Sequence, residues 1–219
     1  MKGRYSAGCA VRCPRVASGG RSHIRRRFLL ATGGDDLIDL TAGDHQRVKA
    51  TSQSIEAHLA TLRRTPLLIG AIAEHLREEQ LRAQPRPNDW SLVELLAHLQ
   101  ACAEVWSDDI ERMLALDAPS FEKPHPRQLM RRHQVPTFAE SARAFAHLRE
   151  QLLARLQPLG SDQWERSSTI NGRRHTVYTQ TRRMALHEAA HADQIRETCR
   201  LIAGPQAASS LAAVPQGTQ

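Results

Sequence analysis

The chain has 219 residues and a formal net charge of +7, which on a folded surface would suggest an anionic partner such as nucleic acid. Residues 1–50 hold 10 Lys+Arg against 4 Asp+Glu, whereas residues 51–219 hold 20 against 19, so the excess sits in the head. With aromatic residues at 4% and no apolar run near the ~20 residues that cross a bilayer, neither nucleic acid nor membrane is expected as a partner.

Residues 1–34 are rich in Arg, Gly and Ser, carry no acid before Asp35 and show no helical or strand periodicity. The run Arg25-Arg26-Arg27-Phe28-Leu29-Leu30 is similar to a twin-arginine export signal. Its apolar part stops at Gly33-Gly34-Asp35, short of the roughly 7–15 residues such signals need. Residues 1–50 therefore read as a disordered basic extension, or as the product of a start codon assigned too early. Cys9 and Cys13 fall there, while Cys102 and Cys199 fall inside helical apolar patterns. That distribution resembles reduced thiols of the cytoplasm more than a disulfide framework.

Thr65-Pro66 has the form of an N-cap followed by proline at the first helical position, and Leu67, Leu68, Ala71, Ile72 and Leu76 follow at helical spacing. This predicts a first helix over about 66–82, ended by Pro85 and Pro87. Ser91-Leu92-Val93-Glu94 is a capping box that opens a second helix running to about Leu116. Pro119, Pro124, Pro126 and Pro136 make 118–136 a long crossover loop. Thr137-Phe138-Ala139-Glu140 is a second capping box that opens a third helix over about 138–157, with Phe145, Leu148, Leu152 and Leu156 on one face.

Asn171-Gly172 between Ser168-Thr169-Ile170 and His175-Thr176-Val177 signals a hairpin, because both central residues of a type I′ turn need positive φ. A fourth helix follows over about 178–203 and stops at Gly204-Pro205. The expected architecture is all-α: a four-helix bundle over 51–204 with one long crossover loop, a small β-hairpin flap before the last helix and a disordered tail over 205–219.

His187-Glu188-Ala189-Ala190-His191 places two imidazoles one turn apart on one helix face, where both can hold one ion. Met184 and Ile195 continue that face, so the pair points inward. His98 shares its face with Leu95, Cys102 and Val105 and can supply a third ligand, although taken alone a satisfied core or surface histidine is the favoured account of it. Cys102, one turn after His98, could bring its sulfur toward the ion but reads first as a small core residue; Glu94 could orient the His98 imidazole, but its capping role already explains it; and Trp90, Trp106 and Trp164 read as packing anchors. Of the other histidines, His175 on the flap is the next candidate.

His-Glu-x-x-His is also the zincin protease signature, with Glu188 as general base. The extended metzincin pattern needs Gly at 194 and His at 197, where this chain has Gln194 and Glu197, and no acid follows Glu197. A helical chain also offers no sheet edge to an extended peptide.

Two longer stretches carry a resemblance. Asn88-Asp89-Trp90-Ser91-Leu92-Val93-Glu94-Leu95-Leu96-Ala97-His98-Leu99 resembles the Trp-Ser-x-x-Glu-x-x-x-His-Leu motif of the DinB/YfiT-like metalloprotein superfamily. Met184 to Ile195 is similar to that family's His-x-x-x-His-x-x-Gln-Ile motif. The resemblance covers about 59–204. It implies that His98, His187 and His191 hold one divalent metal ion; the imidazole donors themselves make zinc or nickel the first expectation, with iron or manganese next. It also implies a small-molecule substrate and, by analogy with thiol-dependent transferases and isomerases of the family, a low-molecular-weight thiol as a partner; dimers are common in the family.

Two classes of function follow. One is an enzyme that activates a thiol or water at an open coordination position, of thiol transferase or hydrolase type. The other is a non-catalytic metal-binding or stress-related interaction module.

Overall fold

The structure, a computed structural model, describes residues 50–123 and 137–212, with side chains through residue 204. The expectations for the basic head and for most of the crossover loop lie outside the described residues.

Helix α1 spans Ser52–His75, a short α2 spans Glu78–Arg82, and α3 spans Leu92–Ala115. A two-residue strand β1, Ser120–Phe121, precedes α4 at Phe138–Leu156 and a single turn α5 at Ser161–Trp164. Strands β2, Ser167–Ile170, and β3, Arg173–Thr176, lead into α6, Val177–Ala212. Helices α1 and α3 each pack along both α4 and α6, which sets α1 opposite α3 and α4 opposite α6 in a four-helix bundle.

The predicted start of the first helix is wrong. Thr51 is its N-cap, accepting from the Ser54 amide at 3.1 Å while the Ser54 hydroxyl accepts from the Thr51 amide at 3.1 Å. The helix then passes straight through Pro66 and ends at His75. An interior proline costs about 3 kcal/mol, since it removes one hydrogen bond and crowds the preceding turn. Leu59 and Leu62 before it, and Leu68, Ile69 and Ile72 after it, are all buried. At roughly 1.5–3 kcal/mol per buried aliphatic side chain, that packing outweighs the proline. Tyr178 adds a tie by donating its hydroxyl to Ser54 Oγ at 3.0 Å.

The other local signals hold. The Ser91 amide donates to Glu94 Oε2 at 2.8 Å and Ser91 Oγ accepts from the Glu94 amide at 3.3 Å, closing the capping box. At the third helix half of the expected capping box forms: Thr137 Oγ1 accepts from the Glu140 amide at 3.2 Å, while the Glu140 carboxylate accepts from the Thr137 hydroxyl at 3.0 Å and not from its amide. Asn171 and Gly172 have φ of 48° and 75°, as the hairpin turn requires, and β2 pairs antiparallel with β3.

A third strand was not foreseen: β1 pairs parallel with β2, with the Thr169 amide donating to the Pro119 carbonyl at 2.9 Å. Gly204, at φ 82° and ψ 171°, breaks the last helix where the glycine predicted a stop. A helical segment continues from there to Ala212, in a stretch expected to be irregular.

The core has two apolar clusters. One joins Leu68, Ile72, Leu95, Leu99, Phe145 and Ile195, and the other joins Leu62, Trp106, Ile110, Leu152, Tyr178 and Met184. Buried polar side chains of all four long helices belong to neither cluster: Thr65, His98, Arg149 and, from α6, Glu188 and His191. No helix among the described residues is long and apolar enough to cross a membrane.

Candidate metal centre

On α3, one face carries Leu95, His98, Cys102 and Val105, all buried, and this face meets α6. On α6, His187 and His191 stand one turn apart and Met184 and Ile195 extend the same buried face. The packing of α3 on α6 brings His98 together with His187, 89 residues away in sequence, and with His191 one turn further on. His98 Nε2 is 3.1 Å from His187 Nε2, and one ring nitrogen from each of the three histidines lies within 4.8 Å of the others. His98 and His191 are 6% and 9% exposed, so solvent does little for the nitrogens that face one another.

The rings are held from outside. Trp90 packs edge-on against His98 at 5.1 Å between centroids, and Trp106 packs edge-on against His187 at 4.8 Å. The Arg183 guanidinium covers the Trp106 ring at 5.0 Å. His191 Nδ1 donates to Gln194 Oε1 at 2.9 Å, a bond that fixes the tautomer and turns the Nε2 lone pair toward the cluster. The sequence separation of Gln194, three after His191, is the signal that could have assigned it this role. Two of the tryptophans read as packing anchors thus pack on the candidate site itself.

Electrostatics favours neutral imidazoles. Burial holds His187 well below the usual imidazole range, with the neighbouring His191 and His98 and the Arg183 charge adding to the effect. Burial also lowers His191, and the hydrogen bond to Gln194 opposes that shift. His187 Nδ1 is shielded from solvent and has no hydrogen-bond partner among the described residues.

Neutral imidazoles with converging lone pairs are the protonation state that a cation needs. Donors at about 2.0–2.1 Å from one tetrahedral ion lie about 3.3 Å apart, close to the 3.1 Å between His98 and His187. The residues present therefore fit a bound divalent ion.

Glu188 faces elsewhere. It is 1% exposed and forms an ion pair across the bundle with Arg149 of α4, itself 1% exposed, whose Nη1 also donates to Met184 Sδ at 2.8 Å. Burial pushes the Glu188 carboxyl up, opposed by the Arg149 charge and by a hydrogen bond from Thr65. A carboxylate held this way is not aimed at the imidazoles, which removes the general base that the zincin reading required.

Cys102 is a buried core residue, as expected, and also packs against the triad rings without joining the gathered group. Its sulfur lies against the triad, 3.6 Å from His98 Nε2 and 3.9 Å from His187 Nε2. The other described cysteine, Cys199, sits in an apolar cluster with Ile195, and burial pushes its thiol up to about 12. Glu94 acts as the capping residue it was expected to be.

His175 lies on β3 and is not part of the gathered cluster. His75 bonds the Ala71 carbonyl, His147 bonds Gln151 and His58 packs on Tyr178. His23, His45, His125 and His133 fall outside the described residues. A cavity of about 220 Å³ opens further along α3 between Val105, Asp109, Phe121 and Lys123, and no triad member lines it.

A four-helix bundle with an interior cluster of three histidines defines a class of helical proteins built around a candidate metal centre. Residues 61–195 match the sequence profile of the DinB superfamily, and the chain belongs to that superfamily. Among solved structures it is similar to YfiT from Bacillus subtilis, described as a probable metal-dependent hydrolase with an unusual four-helix bundle topology. The TM-score is 0.63 at 16% identity, covering 70% of this chain and 90% of that one. No curated protein sequence matches the chain.

Proposed function

We propose that this chain is a metal-dependent enzyme in which His98, His187 and His191 hold one divalent ion. The observation that carries the reading is the convergence of three imidazole nitrogens within 4.8 Å on two packed helices, from buried His98 and His191 and half-buried His187. Three protein donors are the number found in catalytic sites, which keep a position for substrate. A divalent ion held there would acidify a bound water or thiol, supplying a nucleophile near neutral pH.

The chain's own residues do the rest. Gln194 fixes the His191 tautomer, and Trp90 and Trp106 hold two rings in place and exclude water from their faces. The resulting chemistry is hydrolysis of a small substrate or transfer of a low-molecular-weight thiol to an electrophile. The likeness to YfiT supports the hydrolytic version, and the family motifs around His98 and His187 support the metal. Imidazole donors suit zinc, nickel, copper and iron.

The test is elemental analysis of the full chain purified without a metal-affinity tag, followed by activity assays with and without chelator. One stoichiometric divalent ion, lost together with ester hydrolysis or thiol consumption on chelation, is the expected result. Activity that survives complete metal removal would overturn the enzymatic reading.

A further inference from the structure

Trp106 of α3 is 2% exposed and meets α6 at two residues one turn apart, Arg183 and His187. His187 packs edge-on against the indole at 4.8 Å between centroids, and the central carbon of the Arg183 guanidinium lies over the ring at 5.0 Å. Taken end to end, those two distances put the guanidinium at most about 10 Å from the His187 ring. Burial, the other two imidazoles and the Arg183 charge together disfavour protonation of His187. Other cations of the interior have acids: Arg149 meets Glu188, and Lys123 meets Asp109. Half-buried Arg183 has the Trp106 ring against it and, among the described residues, no ion pair or hydrogen bond.

Covering Trp106 does not require a charge. An apolar side chain would shield the ring as well, whereas a guanidinium opposes a cation at the neighbouring centre by Coulomb repulsion. An anion lying between the two turns that repulsion into attraction. Three neutral imidazoles leave the full +2 of a divalent ion at the centre, and a bound hydroxide or thiolate reduces it to +1. Arg183 adds a second positive charge on the same face of α6, and no acidic side chain joins the gathered group. Stacking fixes the guanidinium plane and leaves its N–H edge to pair with two oxygens at once.

We propose that, with an ion held by the triad, Arg183 binds a carboxylate of the substrate whose reacting atom lies at the metal centre. Small carboxylic acids are then the substrate class. A carboxylate fits better than a phosphate dianion, since one guanidinium balances a single charge and matches two coplanar oxygens. Arg183 holds the end of the molecule remote from the reaction, and that binding orients the reacting end at the ion.

The probes are the ω-mercapto acids from thioglycolate to mercaptohexanoate and the ω-mercapto alcohols of the same chain lengths. Either series offers its thiol to the ion, and only the acids carry a carboxylate. Calorimetric titration of the zinc-loaded full chain should find a chain length at which the acid binds roughly tenfold or more tighter than the alcohol, as a charge-assisted hydrogen bond provides. Arg183→Gln should erase that preference while the alcohols bind as before, and Arg183→Lys should keep part of it. Added salt should weaken the acids more than the alcohols.

Acids and alcohols that bind alike at every length, or do not bind, would overturn the proposal and leave the metal centre standing. A preference that survives Arg183→Gln would overturn it too, by placing the carboxylate on the ion itself. A parent chain that takes up no zinc would overturn the triad reading, and this proposal with it. If Arg183→Gln loses its helical circular dichroism, Arg183→Met keeps an apolar cover on Trp106 and decides the matter in its place.

Discussion

Adjacent residues of α6 place buried polar groups in two different settings. On the α4 side, Glu188 meets Arg149, and the two charges cancel. On the α3 side, His187 joins His98 and His191, with no acidic side chain in the gathered set. One setting neutralises its charges within the chain, whereas the other collects lone pairs that a cation would satisfy. The contrast separates a polar feature that serves the fold from one that serves a ligand.

The largest effect expected from breaking this contrast falls on the self-neutralised side. Arg149→Ala leaves the Glu188 carboxylate buried without its partner and should cost about 3–5 kcal/mol in urea unfolding. The apolar pair Arg149→Met with Glu188→Leu should recover most of that loss, because neither charge is then buried. A single substitution as mild as an exposed change would show that water reaches Glu188.

The triad should respond in the opposite way, through its ligand. At free metal about 100 times its Kd, binding stabilises the folded state by about 2.7 kcal/mol. His98→Ala, His187→Ala and His191→Ala should each lose the metal-dependent rise in Tm, with the double variant His187→Ala/His191→Ala as the floor. His75→Ala and His147→Ala should keep it, since both histidines bond locally on exposed helix faces. A His98→Ala protein that still holds one tight equivalent would remove α3 from the site.

Without metal, pH should distinguish the two sides again. Burial lowers His187 and His191 in the folded state, so below an unfolded imidazole pKa of about 6.5 the unfolded chain takes up protons that the folded chain refuses. Their contribution to stability is present above that pH and is lost as pH falls toward the lowered folded values. Each imidazole then costs up to about 1.4 kcal/mol per pH unit. Chemical denaturation of metal-free protein between pH 7 and 5 should show this slope, and His187→Gln should flatten it.

The smallest expected effect lies outside both settings. Ser91→Ala removes the cap of α3 and should cost about 1 kcal/mol while metal stoichiometry stays unchanged. A change in stoichiometry would mean that the helix start controls where His98 sits.

Local chemistry determined much of this protein from sequence alone. The Ser91–Glu94 and Thr137–Glu140 caps, the Asn171-Gly172 turn and the glycine stop at 204 each involve residues within a few positions of one another, so the chain carries their energetics wherever it folds. The four-residue spacing of His187 and His191 is legible for the same reason, and the motif around His98 completes the candidate triad. Tertiary structure decided the rest. Pro66 lies inside a helix because buried leucines and isoleucines on both sides outweigh a local penalty that sequence reading took as decisive. Strand β1 exists because β2 offers it an edge. Glu188 found Arg149 and Cys102 found His187 across 39 and 85 residues of chain, and only the packing of α6 against its neighbours determines which side chain such a residue meets.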